Sequence, residues 1–453
     1  MSLWSFRPGR RIGYNAAVKL ASEVVARAAS FGLVLLAARR LGEADFGRYN
    51  YGLALGFVVA QLADFGLQVL LAREVAAHGR AAQPLVRGAF RLKLLLSLPV
   101  IVLLWLLTPG GDPAARWALF GLGIVALGQT YLEFAAYVFR GQQDLLTEAR
   151  IVAGARLLTA GLGVAILLAG GGLLALALIS VASVLLLVGA SLRLLWRTGW
   201  LGASAEPADE RAEAAPPGLP LYRRLLREAA PLGLSIFLSI AYSRLAVLLL
   251  QARLGESAVA TFSAAHRLVE PSQILPASLI AAVFPAFSHA LCTDPPGARR
   301  LGARASLLLA AAGAGAALTL WLAAGWIIPL LYGDAYAGSA PVLRVLGLSI
   351  LPAFVNYSLT HYLIARGQQG VLVIFSAVML AAHAGLSWLW MPRWGALGPA
   401  ISVVIAESLL LVFCLLTLIL TKPLRRPGPH GELNVVAPPE SARPGAAGAA
   451  PPV

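Results

Sequence analysis

Hydrophobic residues in this chain come in long runs that contain few polar residues, such as Leu94–Leu107, Leu157–Ala169 and Leu409–Leu420. About 20 mostly apolar residues are needed to cross the hydrocarbon of a bilayer as a helix. The pattern therefore predicts about twelve transmembrane helices, over 14–38, 47–74, 89–108, 115–139, 150–170, 172–195, 228–252, 257–289, 303–332, 340–365, 370–391 and 396–421. Only Gly170–Gly172 separate the fifth from the sixth.

The composition agrees with a membrane protein. Of 453 residues, 59% are hydrophobic and 13% are charged, whereas a soluble domain has roughly 25% charged residues. The net charge of +15 is explained by loop arginines and comes without a nucleic-acid-binding motif. The two cysteines, Cys292 and Cys414, cannot form a disulfide framework.

The distribution of basic residues predicts the orientation. Arginines and lysines cluster at both termini and in the even-numbered connections, as in Arg80, Arg87, Arg140, Arg193, Arg223 and Arg299, and are scarce in most odd-numbered ones. Loops rich in basic residues stay in the cytoplasm. We therefore expect a multi-pass protein of the bacterial cytoplasmic (inner) membrane with both termini in the cytoplasm. Arg39, Arg40 and Arg48 in the first outer loop run against this rule.

The domain organisation follows from the same pattern. We predict an N-terminal six-helix bundle over 1–200, a cytoplasmic linker over 201–222, a C-terminal six-helix bundle over 223–424 and a disordered tail over 425–453. The linker mixes Ala, Glu, Asp and Pro, and the tail is rich in Pro, Gly and Ala, which are compositions typical of unfolded segments.

The two halves repeat short sequences in the same order. Arg40-Leu41-Gly42-Glu43 is matched by Arg253-Leu254-Gly255-Glu256, Arg140-Gly141-Gln142-Gln143 by Arg366-Gly367-Gln368-Gln369, and Ile179-Ser180-Val181 by Ile401-Ser402-Val403. We interpret this as duplication of a six-helix unit. An even number of helices makes the repeats parallel, and transporters built in this way bind substrate between the halves.

Three stretches carry a family resemblance. They are Leu41-Gly42-Glu43-Ala44-Asp45-Phe46-Gly47-Arg48-Tyr49, then Ala63-Asp64-Phe65-Gly66-Leu67 with Ala72-Arg73-Glu74, and Trp394-Gly395-Ala396-Leu397-Gly398-Pro399-Ala400. The chain resembles the polysaccharide flippases of the multidrug/oligosaccharidyl-lipid/polysaccharide exporter superfamily. The resemblance implies an all-α V-shaped pair of six-helix bundles, a cationic central cavity and a substrate of sugars on undecaprenyl diphosphate. Peptidoglycan-precursor flippases of the superfamily usually have two further helices, which the hydropathy does not indicate.

Charged residues inside predicted spans are candidate site residues, because a charge in the membrane normally faces a cavity or a partner. Lys19, Glu23 and Arg27 recur every four residues on the first helix, so they share one face. They form either a self-neutralising ladder or part of a cavity, and Lys19 is near enough to the helix end to reach the cytoplasm.

A second polar face lies on the eighth helix. Ser263, His266, Arg267 and Glu270 have helical spacing, and Pro271, Pro276 and Pro285 follow, so the helix is expected to kink. The face lines either the cavity or a packing network between helices. Arg244 lies on the seventh helix, beside Ser235, Ser239 and Tyr242. Because guanidinium groups bind phosphate in bidentate fashion, we predict that Arg27, Arg244 and Arg267 bind the diphosphate, with His266, Glu270, Lys19 and Glu23 around them.

Three buried acids, Asp64, Glu133 and Glu407, are candidates for coupling transport to protons or sodium. The alternatives are pairing with a nearby arginine, favoured for Asp64, and exposure to cytoplasmic water for Glu133. His361 and His383 are interpreted as hydrogen-bonded core residues. No residues have metal-ligand spacing, so we predict neither a metal nor another cofactor.

The predicted function is the transport of undecaprenyl-diphosphate-linked oligosaccharide units by alternating access, for surface polysaccharide biosynthesis. Besides this substrate and membrane lipids, a polysaccharide polymerase is a possible partner; nucleic acid is not. The alternative is an exporter of small organic cations, which requires an acidic cavity. A membrane glycosyl-polymerising enzyme would need a large outer loop, and the longest candidates are about residues 109–114 and 333–339. We predict no catalysis.

Overall fold

The computed structural model describes residues 8–202 and 218–420. The predicted tail over 425–453 and most of the predicted linker lie outside these residues. The described chain is helical and contains no strand. Its helices are α1 (Pro8–Asp64), α2 (Leu67–His78), α3 (Gln83–Leu107), α4 (Pro113–Gly141), α5 (Leu145–Leu168), α6 (Leu173–Arg197), α7 (Leu219–Leu254), α8 (Glu256–Val269), α9 (Ile274–Thr293), α10 (Pro295–Tyr332), α11 (Ser339–Leu348), α12 (Ile350–Ala365), α13 (Gln369–Trp394) and α14 (Leu397–Leu420).

The twelve predicted spans are present, although some are divided differently. Helix α1 contains the first span and much of the second, and only Gly42, with φ 78° and ψ 173°, interrupts it. The loop expected between these spans is therefore wrong, because helix continues on both sides of Gly42. The second span ends with α2, after a break at Phe65 and Gly66, both of which have positive φ. Helix α7 begins at Leu219, earlier than the predicted start at 228.

The internal repeat is confirmed by matching breaks in the two halves. Gly255 separates α7 from α8 with φ 82° and ψ −169°, almost the conformation of Gly42 in the first half. Only glycine adopts this region readily. The eighth span is broken by a 3₁₀ turn at Glu270–Gln273, where Pro271 predicts a kink.

Large apolar side chains cover the outside of the molecule. Leu106, Leu186, Leu307, Trp326 and Ile419 are among many that are mostly exposed. Within the described ranges, ten helical segments are long and apolar enough to cross a membrane, and one of them, Ala21–Asp64, contains the break at Gly42. Apolar surface on this scale requires lipid as the surrounding solvent.

The N-terminal half (α1–α6) and the C-terminal half (α7–α14) touch at both ends of the bundle. The Gly42 end is where α1 is interrupted; there Arg48 Nε lies 3.4 Å from Glu256 Oε1, and the Tyr336 hydroxyl donates to the carbonyl of Ala38 at 3.1 Å. The linker end is where α6 ends and α7 begins. There a Cβ on Gly66 would lie 2.6 Å from the backbone nitrogen of Gly233. The polar cavity described below lies between these contacts.

Candidate functional site

A cavity of about 260 Å³ lies between the two halves and is lined by residues of α1, α4, α5, α6, α7 and α8. Its charged lining residues are Glu133, Arg156, Arg244 and Arg267. A neighbouring cavity of about 260 Å³ shares Ser30, Val34, Arg156 and Arg267 with it and adds Arg27 and Glu270. Four arginines and two glutamates thus line this joint space, hereafter the central cavity, which leaves an excess of two positive charges.

The C-terminal half supplies two arginines that share one carboxylate. Arg267 Nη1 lies 3.2 Å from Glu270 Oε2, and Arg244 Nη2 lies 3.7 Å from Glu270 Oε1. Arg267 also donates to Asn50 Oδ1 of α1 at 3.4 Å, and Arg244 lies over the ring of Phe57 at 5.3 Å. One carboxylate cannot neutralise two guanidinium groups, so donor capacity remains for an anion.

The N-terminal half places the predicted stripe of α1 differently from a simple ladder. Arg27 Nη2 pairs with Glu23 Oε1 at 3.0 Å, as the spacing predicts. Lys19, however, lies 2.9 Å from both carboxylate oxygens of Glu148 on α5, and Arg140 Nε donates to the same carboxylate at 2.8 Å. The ladder therefore extends over Glu23 and Arg27 only. Lys19 and Glu23 line a small side cavity of about 110 Å³.

Arg156 on α5 is a site residue that the sequence analysis missed. It lines the central cavity and the side cavity. Its Nη1 has no hydrogen bond within the described chain, and Glu23 Oε1 is 3.9 Å away. The signal was available, because Arg156 lies inside the predicted span 150–170, where a charge requires a partner or a cavity.

His266 lies behind the arginines. Its ring stacks on Phe262, with 5.7 Å between centroids. With Asn50, Ser263 and Arg267 it lines a small pocket next to the central cavity. Arg267 reaches the central cavity, whereas His266 and Ser263 line only the small pocket beside it. The predicted polar face of α8 therefore serves partly the cavity and partly the packing between helices.

Asp64 forms an ion pair with Lys93 of α3, and both side chains are fully buried. The sequence analysis expected an arginine partner and did not single out Lys93. Lys93 also lies 5.2 Å from the ring of Tyr131. Lys93 lies nearly three turns into α3, and helix packing brings it to Asp64 at the end of α1.

The other two acids have different surroundings. Glu133 lines the central cavity and so does not simply face cytoplasmic water. Glu407 accepts hydrogen bonds from the Tyr242 hydroxyl at 3.2 Å and from Asn356 Nδ2 at 2.9 Å. No basic side chain lies within 4 Å of Glu407 in the part of the chain that the structure describes. Asn356 was not predicted.

Both histidines are hydrogen-bonded, as expected, but only His383 is a core residue, because His361 is half-buried. His383 is buried, and its Nδ1 lies 2.6 Å from the hydroxyl of Ser402. His361 Nδ1 lies 2.7 Å from the carbonyl of Tyr357. Both rings are therefore fixed by neighbours within the C-terminal half.

Solved structures with the same fold are transporters. An inward-facing multidrug resistance MATE family transporter of the MOP superfamily aligns with a TM-score of 0.66 at 17% identity, over 85% of this chain and 92% of that one. The lipid II flippase MurJ, in an inward closed conformation, aligns with a TM-score of 0.65 at 11% identity, over 89% and 87%. The MATE multidrug transporter DinF-BH has a TM-score of 0.64 at 14% identity, over 92% and 96%. At these identities the likeness establishes the fold alone.

The sequence itself supports a closer assignment. A search of curated proteins finds no match. The family described as "Polysaccharide biosynthesis protein" matches residues 12–291, which is more than half of the 453 residues and includes all four arginines of the central cavity. With a fold like that of the transporters above, this chain belongs to the polysaccharide biosynthesis protein family.

Proposed function

We propose that this protein moves undecaprenyl-diphosphate-linked oligosaccharide units across the bacterial cytoplasmic membrane for surface polysaccharide biosynthesis. The observation that carries the proposal is the set of four arginines in the central cavity, contributed by both halves. Arg27 and Arg156 come from α1 and α5, and Arg244 and Arg267 come from α7 and α8.

The chemistry of the cavity matches a diphosphate. A diphosphate concentrates negative charge on a few oxygens, and guanidinium groups bind such oxygens with pairs of parallel hydrogen bonds. Glu23 and Glu270 hold the arginines in place without cancelling their charge. Sugar units need hydroxyl-binding groups, and Gln129, Thr159 and Ser180 line the same space.

The contacts at both ends of the bundle support alternating access. Arg48 and Glu256 hold the halves together at the Gly42 end, and Gly66 and Gly233 do so at the linker end. A transporter of parallel repeats opens one end at a time around a site between the halves. With both termini in the cytoplasm, the linker end faces the side where glycosyltransferases would build the sugar unit, and a polymerase would receive it on the other side.

The test is a flipping assay in proteoliposomes with a short fluorescent oligosaccharide on undecaprenyl diphosphate. Wild type is compared with Arg267→Ala, Arg244→Ala and Arg156→Gln, at equal protein levels. Arg344→Gln is the matched control, because Arg344 is exposed on α11 and lies over Trp321 at 5.9 Å. We expect flipping by wild type and the control and loss of at least tenfold in the three variants, since each removes charged hydrogen bonds worth about 1.5–3 kcal/mol. Normal flipping by these variants would refute the proposal.

A second candidate function is the export of small organic cations. Glu407 favours it, because its carboxylate has hydrogen-bond donors but no basic partner among the described residues. The same proteoliposomes, loaded with a cationic dye, separate the two functions. Dye export without flipping by wild type would replace the first proposal with the second.

A further inference from the structure

A second basic groove lies apart from the central cavity, between α3 and α6 at the linker end. It has a volume of about 560 Å³. Arg87 and Arg91 of α3 and Arg193 of α6 line it together with Phe90, Leu94 and Trp196, and no acidic residue lines it within the described chain. The positive charge of the groove is therefore not balanced locally.

The three arginines differ in what they contact. Arg87 donates to the carbonyl of Gly202, so it holds the turn that follows α6. Arg91 and Arg193 are exposed, and no carboxylate lies within 4 Å of either in residues 8–202 and 218–420. These two guanidinium groups, one from each wall, are available to an anion in the groove.

The apolar side of the groove continues towards the membrane. Leu94 and Leu98 follow Arg91 on the same face of α3, and they are 45% and 64% exposed. Trp196 of α6 is 67% exposed, and tryptophan is typical of the headgroup level of a bilayer. Phe90 closes the floor, since its ring centroid lies 5.9 Å from that of Phe134.

We propose that this groove binds an anionic membrane phospholipid, with Arg91 and Arg193 on its phosphate and an acyl chain along Leu94 and Leu98. Basic pockets between transmembrane helices at the cytoplasmic surface recognise anionic lipid headgroups. The site is separate from the central cavity, so the proposal does not depend on the identity of the transported substrate.

One other occupant has matching charge. Residues 203–217 contain Glu206, Asp209, Glu210 and Glu213 and directly follow Gly202, which Arg87 contacts. A polar acidic segment would satisfy the arginines but would leave Leu94, Leu98 and Trp196 uncovered. A phospholipid satisfies both sides of the groove, which favours the lipid.

The test is native mass spectrometry of the purified full chain with added phosphatidylglycerol or phosphatidylcholine. Arg91→Gln/Arg193→Gln is compared with Arg299→Gln/Arg300→Gln, a pair of equal charge that is exposed at the start of α10. A basic residue near an anionic lipid contributes about fivefold to binding, so the groove variant should bind phosphatidylglycerol about thirtyfold more weakly, whereas the control should match wild type. Raising the salt from about 50 mM to about 500 mM should also weaken binding to wild type.

Two results would overturn the proposal. One is equal binding of the two lipids by wild type, or equal losses in the two variant pairs. The other comes from the variant Glu206→Gln/Asp209→Asn/Glu210→Gln/Glu213→Gln. If it binds phosphatidylglycerol much more tightly than wild type does, the acidic segment occupies the groove instead.

Discussion

Breaking the buried ion pair between Asp64 and Lys93 is the most informative perturbation of this fold. The two side chains lie on α1 and α3, and both are fully buried. Asp64 Oδ2 has no hydrogen-bond partner among the described residues, so Lys93 is the main group that compensates its charge. Lys93 in turn lies 5.2 Å from the ring of Tyr131 and 5.9 Å from that of Phe134.

The structure sets the size of the effect. Lys93→Met keeps most of the side-chain volume but leaves the Asp64 charge buried without a partner, which costs about 3–5 kcal/mol. Asp64→Asn leaves the charge of Lys93 buried without a partner, at a similar cost in stability. In Asp64→Asn/Lys93→Met no charge remains at this site. The double variant should be at least about 2 kcal/mol more stable than either single variant, because replacing a buried ion pair by uncharged groups often changes the free energy of unfolding little.

The assay is the free energy of unfolding in mixed micelles, titrated with a denaturing detergent. Asp45→Asn is the matched control, because Asp45 pairs with Arg48 at 3.0 Å but is 36% exposed. Such pairs contribute about 0–1 kcal/mol. Destabilisation that simply adds up in the double variant would refute the reasoning.

The same variants test the role of Asp64 as a coupling residue. If the pair is only structural, the double variant flips substrate as fast as wild type. If Asp64 carries the coupling ion, the double variant is stable but does not respond to an imposed ion gradient. Flipping in proteoliposomes with and without a pH or sodium gradient distinguishes these outcomes.

Two further predictions concern coupling and the Gly42 end. Glu407→Gln removes the charge, while its amide oxygen can still accept from Asn356 Nδ2 and its amide nitrogen can donate to the Tyr242 hydroxyl. Flipping should therefore continue without stimulation by an ion gradient; unchanged stimulation would exclude Glu407 from coupling. Gly47→Ala places a Cβ against the backbone of Glu256, 2.7 Å from its carbonyl carbon, so the halves must separate there. In a Ser30→Cys background, which places a thiol in the central cavity, labelling by a membrane-impermeant thiol reagent should rise severalfold in Gly47→Ala. Gly32→Ala, whose Cβ would meet nothing within 4 Å, should leave labelling unchanged. Equal labelling in both variants would contradict this role of the contact.

Much of the fold follows from local sequence. The apolar runs specify the spans, because a helix must satisfy its backbone hydrogen bonds within the bilayer. Gly170–Gly172 and Pro271 correctly marked interruptions, since glycine and proline act on the backbone of their own neighbourhood. Gly42 shows where this reasoning fails, because a single glycine interrupts a continuous helix at the place where a loop was expected.

The candidate site is divided in the same way. The sequence by itself placed Arg27, Arg244 and Arg267 within predicted spans, where a charge needs a cavity or a partner. Only the tertiary structure decided which partners they have. It placed Arg156 in the same cavity, paired Lys19 with Glu148 on another helix, and buried Lys93 against Asp64. These contacts join residues far apart in the chain, and they depend on helix rotation and crossing, which the spacing along one helix does not specify.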